Sequence, residues 1–181
     1  MLLLRLTATL VATLACTAHA ADCAALLQQH RASDLALPFD SFDQDDHQGW
    51  RPLSDAGCDA EAATLLADYA AKQAKPHPVL AWHRAQMLAR AGRTDDAIAA
   101  ARATLRPEGS DAASGFDWND YANATIAFLQ GDHPALDANR AKLAAAAEKS
   151  EFNAPNLKSV DRLARCFGQP YKVAYECPAT P

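Results

Sequence analysis

Apolar residues recur every three or four positions along most of this chain, with polar residues between them. That spacing puts the apolar side chains on one side of a helix, whereas a strand would show strict alternation. Alanine and leucine dominate the periodic segments, and both favour helices. The pattern predicts an all-α fold of about seven helices, over residues 22–31, 59–75, 79–91, 94–105, 117–130, 134–147 and 155–166.

Individual residues predict where these helices begin and end. Asp59 is expected to cap the second helix, because a short acidic side chain can accept hydrogen bonds from free backbone N–H groups. Gly92 and Gly131 supply the breaks that end two later helices. Two stretches without helical periodicity, 33–57 and 168–181, are expected to be an irregular loop and an irregular tail.

Two helical hairpins become similar when Gly92 is aligned with Gly131, which lies 39 residues later. Trp82 then falls on Tyr121, and the matched small or apolar positions are Ala85 with Ala124 and Leu88 with Ala127. Hairpins at a fixed spacing are typical of stacked repeats, in which each unit buries its apolar face against its neighbours.

This region resembles the tetratricopeptide repeat family over about residues 79–147. In the first hairpin the resemblance is carried by Trp82, Ala85, Leu88, Gly92, Arg93, Ala97, Ile98, Leu105 and Pro107. The second hairpin is similar but degenerate, through Tyr121, Ala124, Gly131, Asp132, Ala135 and Leu136, with Arg140 where the family usually has an aromatic residue. The spacing exceeds that family's usual value of about 34 residues, and the extra residues lie in the linker 107–115. An unrelated helical bundle is the alternative.

The resemblance implies a short right-handed stack of antiparallel hairpins that binds a protein or peptide on its concave face. The first helix of each hairpin would line that face. Matched position by position, the candidate partner-binding residues are Trp82, Gln86 and Arg90 in one hairpin and Trp118, Tyr121 and Thr125 in the next. Aromatic residues at helical spacing are also typical of a core, so packing is the alternative role for the two tryptophans and Tyr121.

Residues 1–20 have the pattern of a secretory signal peptide. Arg5 precedes a short apolar stretch at 6–15, and small residues at 18 and 20 form a cleavage site. The apolar stretch is too short to span a bilayer stably. A membrane anchor and a lipoprotein acylated at Cys16 are the alternatives. We expect cleavage after Ala20 and one mature domain, 21–181, that is periplasmic or secreted without inserting into the membrane.

The mature chain retains an even number of cysteines, which in an exported protein suggests disulfides. Although four cysteines allow three pairings, we favour the two that tie each chain end to its own neighbourhood. By loop-closure entropy these would contribute about 4 and about 3 kcal/mol. Zinc is disfavoured because the sequence has no C-x2-C pair and no histidine near two cysteines. The predicted pairs are Cys23–Cys58 and Cys166–Cys177.

Charge narrows the classes of partner. The chain has a net charge of −5, and removal of Arg5 with the leader makes the mature chain more negative. This balance argues against nucleic acid and anionic membranes as partners. The densest acidic segment, 40–50, suggests a calcium loop through Asp43 and Asp45. The match is poor, since the later loop positions are His47, Gln48 and Ser54.

The sequence indicates no catalytic motif. Its histidines are scattered, with no H-E-x-x-H, and G-x-S-x-G, P-loop and dinucleotide-binding patterns do not occur. We therefore expect a protein that is not an enzyme and uses no cofactor or metal. It would act as an exported protein–protein interaction module, with another envelope protein or peptide as its partner. The roles considered are those of a scaffold, an assembly factor or an immunity-type factor. A small-ligand or metal-binding module that uses loop 40–50 is the alternative.

Overall fold

The computed structural model describes residues 22–110 and 115–178, so the predicted leader 1–20, with Cys16, lies outside the described residues. Within those two ranges the chain forms α-helices, one π-helical turn, one 3₁₀ turn and no strand, which confirms the all-α prediction. The α-helices are α1 (Cys23–Ser33), α2 (Arg51–Asp55), α3 (Asp59–Lys72), α4 (Pro78–Arg90), α5 (Thr94–Arg102), α6 (Trp118–Gln130), α7 (His133–Ala147), α8 (Ala154–Arg165) and α9 (Tyr171–Tyr175).

The seven predicted helices correspond to α1 and α3 to α8, and the two short helices α2 and α9 were not predicted. Both lie in segments expected to be irregular, and a π-helical turn at Asp40–Gln44 adds a further helical element to the first of them. Each short helix has five residues. A segment of that length is too short to display a helical period, so only its tertiary contacts can stabilise it.

The turns after α4 and α6 have the same hydrogen bonds. The N–H of Gly92 donates to Ala89 at 3.1 Å, and that of Arg93 to Leu88 at 2.9 Å. Residues 131 and 132 repeat both bonds to residues 128 and 127, at 3.1 and 2.9 Å. Both glycines have positive φ, 74° and 71°, as a C-terminal helix break of this type requires. The two hairpin turns therefore share one geometry at the offset that the sequence comparison predicted.

Neighbouring helices pack in chain order. α3 packs against α4, α4 against α5, α5 against α6, α6 against α7 and α7 against α8. The two hairpin turns border one surface cavity, which Gly92, Gly131 and Phe128 help to line. The hairpins α4–α5 and α6–α7 are thus side by side; their right-handed, repeat-like stacking remains a prediction.

Buried aromatic residues join these hairpins. The rings of Trp82 and Trp118 lie 5.0 Å apart, and those of Trp82 and Tyr121 lie 4.9 Å apart. The Trp118 indole N–H also donates to the carbonyl of Thr104 at 2.8 Å. This aromatic contact holds α4 against α6 and so fixes which face of α4 is left for other contacts.

The predicted cap at Asp59 is wrong. Cys58 is the N-cap residue of α3 and Asp59 is its first helical residue, 4% exposed. Its carboxylate accepts hydrogen bonds from side chains on other helices instead of from its own backbone. A sequence pattern does not distinguish these roles, because an acidic residue is favourable throughout the first helical turn.

Both predicted disulfides are confirmed. Cys23 pairs with Cys58 and joins α1 to the start of α3, while Cys166 pairs with Cys177 and joins the end of α8 to the segment after α9. Disulfides of this kind are typical of proteins outside the cytoplasm. Among the described residues, no helix is both long and apolar enough to cross a bilayer.

Removing either disulfide should destabilise the protein, and by more for the longer loop. The closed loops span 35 and 11 residues. We expect Cys23→Ala with Cys58→Ala to cost about 4 kcal/mol of unfolding free energy, and Cys166→Ala with Cys177→Ala about 3 kcal/mol. Urea unfolding under non-reducing conditions measures both losses. A larger loss for the second pair would contradict the loop-entropy account.

Candidate functional site

One face of α4 forms the floor of a polar cleft of about 430 Å³, which we call the α4 cleft. Its floor residues are His83, Gln86, Met87 and Arg90, whose spacing of three, four and seven positions puts them on one helical face. One wall comes from the segment around α2 and the other from α9. The wall residues are Asp46, Trp50, Arg51, Ser54 and Asp55 on one side and Tyr171, Tyr175 and Glu176 on the other.

A buried carboxylate orients the histidine on the cleft floor. Asp43 is fully buried, and its carboxylate accepts hydrogen bonds from His83 Nδ1 at 2.7 Å, from Trp50 Nε1 at 3.0 Å and from the Gln44 amide. Because Nδ1 of His83 is engaged, Nε2 is the ring nitrogen left for the cleft. The side chain of His83 is 16% exposed. The cleft therefore contains an imidazole whose orientation is fixed from behind.

A glycine turn brings the loop back over this carboxylate. Gly49 has φ +63°, and a Cβ at that position would lie 1.9 Å from the carbonyl oxygen of Phe42. Its backbone N–H donates to the Asp34 carboxylate at 2.8 Å. No other residue type fits this close approach, and the turn places Trp50 directly after it, where its indole reaches Asp43.

A second buried carboxylate connects the floor of the cleft to both of its walls. Asp59 accepts hydrogen bonds from Ser54 Oγ at 2.8 Å, from Arg90 Nε at 2.9 Å and from Lys172 Nζ at 2.8 Å. These donors belong to α2, α4 and α9. Arg90 also donates from Nη1 to Glu176, which follows α9, at 2.9 Å. The Asp59 carboxylate therefore joins the floor of the cleft to both of its sides.

Opposing effects set the pKa of each of these carboxyls. Burial alone would raise the pKa of Asp43, but hydrogen bonds from His83, Trp50 and Gln44 outweigh it and hold the pKa below its usual range. Burial would likewise raise the pKa of Asp59, and bonds from Lys172, Arg90 and Ser54 hold it low. Both side chains are therefore ionised at neutral pH, and each stabilises the donors around it.

Three tyrosines lie at the side of the cleft nearest α9. The amide of Gln86 donates to the hydroxyls of Tyr175 at 3.3 Å and Tyr121 at 3.4 Å, both long hydrogen bonds. The Tyr171 hydroxyl is buried and has no hydrogen-bond partner among the described residues. Burial, and then the neighbouring Tyr175, raise the pKa of Tyr171 and of Tyr121 well above the usual value. Both hydroxyls remain protonated donors.

The structure brings two of the six predicted partner-binding residues to the cleft. Gln86 and Arg90 line it. Trp82, Trp118, Tyr121 and Thr125 are buried, each 8% exposed or less, in line with the alternative packing role. Binding of a partner by any of the six remains a prediction, but in this structure only Gln86 and Arg90 lie where a partner could reach them.

Loop 40–50 contributes to the site differently from the sequence expectation. Asp43 lies behind the cleft, while the Asp45 carboxylate accepts hydrogen bonds from the backbone N–H of His47 at 2.8 Å and from the Gln48 amide at 3.0 Å. These oxygens accept N–H donors, whereas calcium would need them as ligands. Asp46 and Trp50 line the cleft. The loop thus supplies a wall, and ion binding by it stays a prediction.

Among the described residues, one cluster has the geometry of a metal site, formed by Cys23, Cys58 and Glu61. Its two sulfur atoms form a disulfide, so they are not available as thiolate ligands. That cluster therefore does not hold a metal while the disulfide is intact.

His83 is not predicted as a site residue from the sequence. Its partner Asp43 lies 40 residues away, and Asp59 and Glu176, the partners of Arg90, lie 31 and 86 residues from that arginine. Gln86 and Arg90 are predicted from the resemblance, and their four-residue spacing places them on one stripe of α4. The same stripe includes His83 and Met87, so extending it by one turn adds the histidine.

Comparison with protein-family models, with curated proteins and with solved structures finds no significant match for this chain. The resemblance to tetratricopeptide repeats therefore remains a prediction from the residues quoted above.

Acid should destabilise the protein through Asp59, whose carboxylate accepts hydrogen bonds from Arg90, Lys172 and Ser54. Since its folded pKa lies below the model-peptide value of 3.8, its contribution to stability is complete above that value and is lost as pH falls through the folded pKa. At neutral pH we expect Asp59→Asn to cost about 2 kcal/mol, less than a fully buried pair because Lys172 is partly hydrated.

The difference between wild type and Asp59→Asn should shrink as pH falls, because the protonated carboxyl is neutral like the amide. Urea unfolding of both proteins between neutral pH and about pH 2 measures it. A difference that is constant over this range would show that Asp59 stabilises the fold by packing rather than by its charge.

Proposed function

We propose that this protein is an exported helical-hairpin protein that binds another protein of the cell envelope through the α4 cleft. The observation that carries the proposal is the position of Gln86 and Arg90. They were predicted on the partner-binding face from the sequence, and they line a polar cleft that three helices and a loop build together. In a bacterium with two membranes the compartment would be the periplasm.

The character of the cleft supports binding rather than catalysis. Its lining includes aromatic side chains, a methionine and two arginines, residue types that are enriched at protein interfaces. Arg51 stacks over the buried Trp50 ring at 4.6 Å, so the ring holds this cation at the wall of the cleft. Arg51 and Arg90 are of a residue type that commonly anchors a partner.

Export is supported by two independent features. The first 20 residues have the pattern of a signal peptide, and the mature chain has two disulfides, each closing one end of the domain. A protein that blocks or scaffolds one envelope partner, such as an immunity or assembly factor, needs a stable surface of this kind.

A second candidate function is a small-ligand module in the same cleft. It is favoured by the volume of about 430 Å³, which is within the range of small-molecule sites, and by the oriented His83 on the floor. Loop 40–50 takes part through Asp46 and Trp50, as the alternative from the sequence proposed. The experiment below separates the two candidates.

Photo-crosslinking from the cleft should capture one envelope protein. A photoreactive amino acid replaces Arg51 or Asp55 at the cleft, or Arg102 or Gln130 at exposed control positions on α5 and α6, in the mature oxidised protein. After illumination in envelope extract, we expect the same product at both cleft positions and at neither control. Adding Gln86→Ala should lower its yield about fivefold, the effect of one moderate contact residue.

Products of equal yield at cleft and control positions would contradict the proposal. Absence of any product at the cleft, together with a small molecule that co-purifies with the protein in native mass spectrometry, would favour the second candidate instead.

A further inference from the structure

The short helix α9 lies on the face of α4 that was predicted to bind a partner. Tyr171 and Ala174 of α9 are buried, whereas Val173 on its other side is 52% exposed. Lys172 contacts Asp59, and Glu176 contacts Arg90. We call the surface under this helix the α9 groove, formed by α8, by Asp59 and by the face of α4 that carries Gln86 and Arg90. Phe128 of α6 lies at its end, where its ring is 6.1 Å from that of Tyr171.

The groove recognises α9 through a simple pattern. Two tyrosines stand four residues apart on one side of the helix, and a glutamate follows the second. Tyr175 accepts the hydrogen bond from Gln86, and Glu176 pairs with Arg90. A helix of five residues is not stable alone in water, so this docking is what keeps it helical.

The fit of α9 in its groove is imperfect. The Tyr171 hydroxyl is buried without a hydrogen-bond partner among the described residues, which is uncommon in folded proteins. The hydrogen bonds from Gln86 to Tyr175 and Tyr121 are long, and the Glu176 side chain is 61% exposed. A segment without this hydroxyl would fill the same groove without burying an unpaired polar group, and would therefore bind more tightly.

We propose that the α9 groove is a docking site for a short helical segment of a partner protein. The segment has an aromatic residue followed directly by a lysine, a tyrosine four positions after the aromatic residue, and an acidic residue directly after that tyrosine. In the free protein α9 occupies this site as an internal copy of that segment. Binding of the partner displaces α9. The inference rests on the proposed function, which it deepens by naming the recognised chemistry.

The disulfide Cys166–Cys177 keeps α9 beside its groove. It closes a loop of 11 residues, so the internal segment competes at a high effective concentration, of the order of millimolar. A partner segment must therefore bind more tightly than α9 does, and a synthetic peptide should bind only when α9 is prevented from docking.

The test uses the full mature chain with Cys166→Ser and Cys177→Ser, and a synthetic peptide of residues 168–178 with Cys177→Ser. In one protein Tyr171→Ala and Tyr175→Ala prevent α9 from docking. In the matched control Val173→Ala alters only the exposed side of α9. Isothermal titration and the circular dichroism of both proteins are measured.

We expect the peptide to bind the two-tyrosine variant about tenfold or more tightly than the Val173→Ala control, because the control retains its internal competitor. A peptide with Tyr171→Phe should bind about fivefold more tightly still, since it does not bury an unpaired hydroxyl. A peptide with Glu176→Gln should bind more weakly than the parent peptide.

Absence of peptide binding to the two-tyrosine variant would overturn the proposal, as would loss of helicity well beyond the five residues of α9. Either result would make α9 an integral part of the core. The peptide assay needs no natural partner. Peptide binding together with failed crosslinking would therefore support the α9 groove and reject the envelope-protein function. Successful crosslinking together with no peptide binding would leave the α4 cleft as the binding site and reject the α9 groove.

Discussion

A carboxylate removed from water must receive hydrogen bonds from all sides, and two carboxylates beneath the α4 cleft impose this condition on the structure. Asp43 collects donors from the loop and from α4, and Asp59 collects them from α2, α4 and α9. None of these segments is held there by regular packing of hairpins alone. The need to satisfy both charges determines where the loop and α9 lie, and so creates the cleft.

The scaffold and the candidate site are built from different segments of the chain. The hairpins α4–α5 and α6–α7 are joined by aromatic packing around Trp82, and within each hairpin a glycine turn of the same geometry connects the two helices. The cleft walls come from segments outside those hairpins, namely the α2 region and α9, each tied to the body by a disulfide close by. A rigid helical floor with irregular walls resembles many binding sites, in which the scaffold positions loops that carry specificity.

The sequence predicted what depends on local pattern. Seven helices follow from periodicity, the two turns from Gly92 and Gly131, and the disulfides from each cysteine's proximity to its own chain end. It did not predict the role of Asp59, because capping and buried pairing use the same residue at almost the same position. His83 was missed because its partner is 40 residues away, and α9 because five residues carry no period. Tertiary contacts, rather than local helix propensity, determine the role of Asp59, the role of His83 and the formation of α9.

The central claim is that the Asp59 carboxylate holds both walls of the cleft against α4, and amide hydrogen exchange measures this most directly. We compare wild type with Asp59→Asn at neutral pH, where both proteins remain folded. The account predicts faster exchange in α9 and in the α2 region, at residues 171–177 and 51–58, with unchanged protection in α5, α6 and α7. Unchanged exchange in α9, or an equal loss of protection in all helices, would contradict it.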